Sequence, residues 1–334
     1  GSLFTEINYS ADGISWKSVS VDFSVRKGVA YGNGLFVVVG DSGIATSANG
    51  TSWAKYQHPG FNGMAYGNGK FVAAGASGAI YSSEYGAKWK KQTSNTANEL
   101  RGITYGGGLY VAVGDGGTIL TSSDGAVWTV RSSPTSNRLN DVAYGNGKFV
   151  AVGESGTVVY SVYGGVDWTL ADTGFPDLNM RAVAYGLGQF AAVGPAGIYS
   201  SSDGENWSES AVSGVELFSI AASDTMLVAA GLSTEGDSTL NVYTSGDGSN
   251  WIRNGSGVSQ PINGAAYDNG TFVLVGNGGV IRTSKDGTSY TGVTSGLSAS
   301  AGLRAVAGGN GTFVAAGLSG AMAQTRTAAP ANYA

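Results

Sequence analysis

An apolar pattern divided by a glycine turn recurs along nearly the whole chain. In Val29–Gly40 (VAYGNGLFVVVG) an Asn-Gly pair separates two apolar stretches. Asn-Gly between apolar runs favours a tight β-hairpin, because both residues accept a positive φ. The second stretch is almost continuously apolar, which predicts a strand buried on both faces. The pattern therefore predicts an all-β chain.

This hairpin pattern recurs at a nearly constant spacing. Its eight copies begin at Val29, Met64, Ile103, Val142, Val183, Ile220, Ala265 and Val306. The seven intervals from position 29 to position 306 average about 40 residues, the spacing of a four-stranded propeller blade. The repeat predicts a single β-propeller of eight four-stranded blades, with seven as the alternative if the loose unit at Ile220 does not form a blade.

A second pattern, Ser-x-Asp-Gly-x-x-Trp, completes each repeat and is called the box below. Its regular copies are Ser10–Trp16, Ser122–Trp128, Ser201–Trp207 and Ser245–Trp251. Asn49, Tyr85 and Tyr163 mark variants without the Asp, and Tyr290 replaces the Trp in the Ser284 copy. Asp or Asn can accept backbone N–H bonds while Gly takes the positive φ of the turn. We expect the Trp to pack between neighbouring blades.

The ends of the chain are out of phase with the repeat. With strands named A to D from the channel outward, the first box has no A and B strands before it, and the last A and B strands have no box after them. We expect N-terminal C and D strands to complete the blade of the C-terminal A and B strands, which closes the ring. Residues 321–325 and 4–9 compete for its third strand. The predicted domains are a propeller over 1–326 and a linker-like tail over 327–334.

Composition excludes several classes of function. The 18 Lys and Arg against 23 Asp and Glu give a net charge of −5, which argues against a nucleic-acid partner. The longest apolar runs are far shorter than the ~20 residues of a membrane-spanning helix. The chain has no Cys and a single His, His58, so Cys-based and His-cluster metal sites are excluded. We expect no metal and no cofactor.

The boxes give the chain its resemblance to known proteins. Asp124–Trp128 and Asp203–Trp207 resemble the Asp-box repeats of sialidase-type (bacterial neuraminidase) propellers, of photosystem-assembly-factor-like propellers and of phage or bacterial surface propellers. The likeness spans nearly the whole chain and implies the propeller fold, whereas the box occurs with many functions. Sialidases use an arginine triad with a Tyr–Glu pair. Arg101, Arg181 and Arg304 could imitate the triad, but no Tyr–Glu pattern matches, so we assign no catalytic residue.

One set of equivalent positions is unusually polar. Two residues before each copy of the first pattern lie Lys27, Asn62, Arg101, Asn140, Arg181, Phe218, Asn263 and Arg304. We expect these eight residues, called the ring residues below, to face the central channel or its mouth. Arginine forks and amides could bind a carboxylate, a sulfate or an acidic sugar. The alternative is that they bind blade carbonyls and channel waters.

The connections between repeats vary in length, and variable loops on a rigid scaffold commonly carry binding sites. Within them we select Tyr56, His58 and Phe175, together with Phe218 of the ring, as aromatic candidates for stacking on sugars. The candidate carboxylates of a glycosidase are Asp141, Asp177, Glu99 and Glu216, since such enzymes need a facing pair. The alternative for these acids is a role as solvated loop charges.

These observations favour a non-enzymatic binding propeller at an extracellular, cell-surface or virion location. It would recognise a cell-surface glycan or a protein partner, as phage tail, lectin-like or adhesion proteins do. The alternatives are a polysaccharide-acting glycosidase or lyase, and an assembly scaffold. The sequence does not determine the oligomeric state.

Overall fold

The computed structural model describes residues 5–9, 17–21, 27–162, 164–176, 178–210, 212–293, 295, 297, 302–309, 312–318 and 322–326. The Ser10–Trp16 box, Tyr163, Asp177 and the 327–334 tail lie outside the described residues. Within the described ranges, no helix has the length and apolar character needed to cross a membrane.

Seven sheets are four-stranded antiparallel blades, and in each blade the strands follow the chain from the channel outward. Blade 1 consists of β3 (Gly28–Gly32), β4 (Leu35–Gly40), β5 (Gly43–Ser47) and β6 (Ala54–Gln57), and blade 2 consists of β7 (Phe61–Gly67), β8 (Lys70–Gly75), β9 (Ile80–Ser83) and β10 (Lys90–Gln92). Blade 3 consists of β11 (Leu100–Gly106), β12 (Leu109–Gly114), β13 (Ile119–Ser122) and β14 (Thr129–Val130), and blade 4 consists of β15 (Leu139–Gly145), β16 (Lys148–Gly153), β17 (Val158–Ser161) and β18 (Thr169–Leu170). Blade 5 consists of β19 (Ala182–Gly186), β20 (Gln189–Gly194), β21 (Gly197–Ser201) and β22 (Ser208–Ser210); blade 6 consists of β23 (Val215–Ala222), β24 (Leu227–Ser233), β25 (Val242–Ser245) and β26 (Ile252–Asn254); and blade 7 consists of β27 (Ile262–Asp268), β28 (Thr271–Gly276), β29 (Ile281–Ser284) and β30 (Thr291–Val293). Short 3₁₀ turns at Ala76–Gly78 and Asp115–Gly117 link the second and third strands of blades 2 and 3.

The remaining sheet, called the closing sheet, joins both ends of the chain. Its strands are β1 (Thr5–Tyr9), β2 (Lys17–Val21), β31 (Gly302–Gly309), β32 (Thr312–Leu318) and β33 (Met322–Arg326), in the spatial order β2-β1-β33-β32-β31. Its inner strand β31 lies between β27 and β3, which completes the ring of inner strands. The structure is therefore a single β-propeller.

The blade count agrees with the alternative stated above, since seven sheets are four-stranded antiparallel blades. The loose unit at Ile220 nevertheless forms a complete blade, blade 6. The sheet that departs from the pattern is the closing sheet. Of the two candidates for its third strand, the C-terminal one takes the place, because β33 pairs with β32 and β1 then pairs with β33 in parallel, so the N-terminal strands close the ring through β33. A strand reached by a short connection loses little loop entropy on pairing.

The second strand of each blade forms the core between neighbouring blades. Val37, Val38 and Val39 of β4 are fully buried, which confirms the prediction of burial on both faces. The box tryptophans that the structure describes lie in the same interfaces. Trp128 is 4% exposed and packs with Val72 of blade 2 and with Leu120 of its own blade. This contact confirms that Trp128 packs between blades.

The Tyr-Gly pair that ends most inner strands has a packing role. A Cβ placed on Gly67 would lie 2.0 Å from the ring of Tyr105, and one on Gly309 would lie 2.0 Å from the ring of Tyr31. Neither glycine has a positive φ, so the close approach of the next ring, rather than the turn, requires glycine there. The second contact runs from the closing sheet to blade 1 and helps to close the ring.

Candidate functional site at the channel mouth

Six ring residues lie where an inner strand carries a β-bulge. The register of β11 with β12 passes from Leu100 opposite Gly114 to Gly102 opposite Val113, so Arg101 has no partner position. Equivalent shifts occur at Asn62, Asn140, Phe218, Asn263 and Arg304. A bulge re-aims a side chain that regular pairing would direct at a sheet face. The repeated bulge therefore presents these side chains at the same end of the channel.

The mouth of the channel is a cavity of about 880 Å³. Its lining residues are Lys27, Asp41, Asn62, Glu99, Arg101, Arg138, Asn140, Glu154, Asn179, Arg181, Pro195 and Arg304. Six of the eight ring residues are thus brought together. Asn263 lines an adjoining cavity of about 370 Å³ inside the channel, while Phe218 lines neither.

The three ring amides connect neighbouring sheets. Asn62 Nδ2 donates to the carbonyl of Leu100 at 2.7 Å, and Asn140 Nδ2 donates to that of Met180 at 2.8 Å. Asn263 Nδ2 makes the same bond to Leu303 at 2.7 Å. Each acceptor directly precedes an arginine of the ring, which gives the alternation of amides and cations a structural cause. These contacts match the alternative in which ring residues bind blade carbonyls.

An ionic network crosses blades 3 and 4. Arg101 donates to both carboxylate oxygens of Asp115, and Arg138 Nε donates to Asp115 Oδ1 at 3.0 Å. Arg138 Nη1 also donates to Glu154 Oε1 at 2.6 Å. The hydrogen bond with Asp115 raises the pKa of Arg101, and the bond from Arg101 lowers the pKa of Asp115. Arg101 and Asp115 therefore remain charged at neutral pH.

Among the described residues, the other cations of the mouth have fewer ion-pair partners than Arg101 and Arg138. Lys27 Nζ donates to Asn62 Oδ1 at 2.7 Å and lies 3.4 Å from Asp41. Arg181 Nη2 pairs with Glu216 and its guanidinium stacks 4.7 Å from the ring centre of Phe218, but its Nη1 is buried with no hydrogen-bond partner among the described residues. Arg304 is exposed and donates to Asn263 Oδ1 at 3.0 Å.

A carboxylate lies deeper in the channel. Asp141 accepts the N–H of Val142 at 2.9 Å and that of Val183, in the next blade, at 3.0 Å. Ser219 occupies the equivalent position of blade 6 and accepts the N–H of Ala265, again in the next blade, at 3.1 Å. Burial raises the pKa of Asp141 to about 6, against the effect of its backbone hydrogen bonds. Asp141 is therefore a link between two inner strands.

The other candidate carboxylates contact cations or amides. Glu99 accepts from Asn62 and lies 3.8 Å from Arg101, and Glu216 pairs with Arg181. Asp177 lies outside the described residues. Among the residues that the structure describes, no group of three or more His, Asp and Glu side chains could hold a metal ion.

Of the aromatic candidates outside the ring, His58 and Phe175 lie in connections and pack on the blade that follows, whereas Tyr56 belongs to β6. The ring centres of His58 and Tyr81 are 4.5 Å apart, and those of Phe175 and Tyr199 are 5.1 Å apart. Burial lowers the pKa of His58. Tyr56 is half-buried against the core between blades 1 and 2. None of these three lines the mouth cavity, and their role in ligand binding stays a prediction.

Sequence reasoning missed Asp41, Asp115, Arg138 and Glu154. The three acids share a signal, because each directly follows the glycine that ends the second strand of its blade. That position lies at the same end of the blade as the ring residues. A comparison of equivalent positions after each of these glycines would have found the acids that neutralise the ring.

Comparisons with known proteins agree with this fold. A family model described as "DUF6242 beta propeller domain" matches residues 71–189, and no curated protein matches the chain. Among solved structures, Saccharomyces cerevisiae Sqt1 has a TM-score of 0.69 at 11% identity, over 98% of this chain and 100% of that chain.

Two further structures are similar. The computationally designed Ika8 protein has a TM-score of 0.71 at 13% identity, over 95% of this chain and 98% of that chain. YCF48 bound to a D1 peptide has a TM-score of 0.60 at 14% identity, over 81% of this chain and 98% of that chain. At these identities the likeness establishes the fold alone.

Proposed function

We propose that this protein is a non-enzymatic binding propeller that takes a segment of a protein partner at the channel mouth. The observation that carries the proposal is a wide, preformed cavity at one end of a rigid ring, lined by side chains from blades 1 to 5 and the closing sheet. A cavity of about 880 Å³ falls within the roughly 300–1,000 Å³ typical of binding sites.

The balance of charge favours a protein segment over a polyanion. The mouth holds five cations, and five carboxylates lie within it or bind its arginines. The cations are Lys27, Arg101, Arg138, Arg181 and Arg304, and the acids are Asp41, Glu99, Asp115, Glu154 and Glu216. A polyanionic glycan would need a net positive field, whereas a protein segment can match a surface of mixed charge.

The least neutralised part of the mouth is the arc of Arg304 and Lys27, on neighbouring sheets. Within the described ranges Arg304 has no carboxylate within 4 Å, and Lys27 is 41% exposed. Amide oxygens of Asn263 and Asn62 orient these two cations. A carboxylate, from an acidic side chain or a chain terminus, suits this arc because cations held in place lose little entropy on binding.

The structure of YCF48 bound to a D1 peptide supports the proposal, since it shows a similar fold with a peptide ligand. A cell-surface glycan as ligand, and an extracellular or virion location, stay predictions from the sequence. The same holds for the resemblance to Asp-box repeat proteins.

A peptide-display selection against the whole protein tests the proposal. We expect enrichment of peptides with an acidic residue or a required free C-terminus, and at least a tenfold loss of affinity for the Arg304→Gln/Lys27→Gln double variant. Arg131→Gln is the matched control, because Arg131 binds Thr121 away from the mouth. Enriched peptides that bind the double variant as tightly as the unchanged protein would contradict the proposal.

A further inference from the structure

The box of blade 2 departs from the others at one position. In five other boxes the serine Oγ donates to an Asp or Asn two residues later, as Ser122 does to Asp124 at 3.0 Å. In blade 2 that position is Tyr85. The turn is retained, since Gly86 has a φ of 66° and Trp89 Nε1 donates to its carbonyl at 2.9 Å.

The tyrosine at position 85 leaves the serine hydroxyl of this box without its usual acceptor and places an aromatic ring in solvent. Ser83 is 5% exposed, and its Oγ has no hydrogen-bond partner among the described residues. Ser161, in the box that contains Tyr163, is unpartnered in the same way, which ties the effect to the missing acid. Tyr85 itself is 68% exposed. An unmet buried hydroxyl and an exposed aromatic ring are both unfavourable in an isolated protein.

Both groups line one cavity of about 590 Å³ between blades 2 and 3, on the face of the box turns and opposite to the channel mouth. Its lining residues are Lys70, Ser82, Ser83, Glu84, Tyr85, Ala87, Lys88, Lys90, Gln92 and Ala126. Three lysines against one glutamate give the lining a charge of +2 in a chain of net charge −5. Lys88 and Lys90 are exposed, and no ion pair joins either of them to another described residue.

We propose that this cavity is a second binding site, for an acidic saccharide. The lysine ammonium groups are point charges that suit a carboxylate or sulfate. The exposed ring of Tyr85 offers an apolar face to the sugar's C–H face. Ala87 and Ala126 add apolar walls. An inorganic anion would use the lysines alone, whereas an acidic saccharide would also use the exposed ring face of Tyr85.

Binding of the whole protein to a panel of uronate, sialylated and sulfated oligosaccharides, each paired with its neutral counterpart, tests the site. We expect at least one acidic member to bind tenfold or more tightly than its neutral counterpart. The Lys88→Ala/Lys90→Ala double variant should lose at least tenfold. The Lys91→Ala variant should change affinity less than twofold, because Lys91 is adjacent in sequence but does not line the cavity.

Tyr85→Asp gives the sharpest test, because it restores the regular box. It returns a partner to Ser83, removes the aromatic face and adds a negative charge, so binding should be lost while the unfolding temperature is kept or raised. A restored box with unchanged binding would overturn the proposal. The proposal would also be overturned if no acidic saccharide bound, if inorganic sulfate bound as tightly as the best acidic saccharide, or if an acidic peptide bound more tightly through the same lysines.

Discussion

The boxes of blades 2 and 3 build the same turn from different residues. In blade 3, Asp124 Oδ1 accepts the N–H groups of Ala126 and Val127 at 2.8 and 2.9 Å. In blade 2, Tyr85 occupies that position and faces solvent. Gly125 and Gly86 nevertheless have φ values of 69° and 66°. The acid is therefore dispensable for the shape of the turn, whereas the glycine is present in both boxes.

The difference shows how a repeat protein acquires a local site. Because many copies stabilise the ring together, one box can lose its acid and keep its fold. The altered box then lacks a carboxylate and exposes the ring of Tyr85. The mouth differs, since most of its cations are paired with acids from adjacent loops, and its least neutralised cations are Arg304 and Lys27.

The largest expected effect comes from the Trp that both boxes share. Trp128→Ala should lower the free energy of unfolding by roughly 3–5 kcal/mol, because it removes a buried aromatic between blades 2 and 3. Trp89→Ala should lower it less, because Trp89 is only half-buried. Denaturant titration of both variants measures the two values. An unchanged unfolding curve for Trp128→Ala would contradict the view that Trp packing is the stabilising feature that the boxes share.

The acid should matter only where it is present. Asp124→Ala removes the acceptor of two backbone N–H groups, and we expect a loss of about 1–2 kcal/mol. Tyr85→Ala, at the equivalent position, should lie within about 0.5 kcal/mol of the unchanged protein, since its side chain is exposed. The same denaturant titration compares them. An equal loss in both variants would mean that position 85 supports the turn by another contact.

Most of the architecture follows from the repeat. Asn-Gly and Asp-Gly turns, with continuously apolar second strands, predict the blades, and the box Trp of blade 3 packs as expected. The order of strands in the closing sheet stayed open because β33 and β1 both fit the third position by pattern. Local connection, which hydrophobic pattern does not express, places β33 there.

The site was predictable only in part. The ring positions are equivalent in sequence, so their convergence at the mouth could be inferred. Their partners were missed, because only some of the positions that follow the second strands carry an acid, as Asp115 does beside Arg101 and Arg138. Gly67 is required by the approach of Tyr105 from the next blade, a contact that the repeat pattern alone does not reveal.

The smallest expected effect is a difference in pH dependence between the two boxes. The N–H of Val127 is the largest of the contacts that lower the pKa of Asp124, so its carboxylate binds protons less readily in the folded state than in the unfolded state. Its stabilising contribution is complete above the unfolded pKa of about 3.9 and is lost as pH falls through the lower folded value. The stability difference between Asp124→Ala and the unchanged protein should therefore shrink from pH 7 towards pH 3, when both are titrated with denaturant at each pH. The difference for Tyr85→Ala should stay flat over the same range, and a parallel decline in both would show that the two boxes differ in appearance but not in electrostatics.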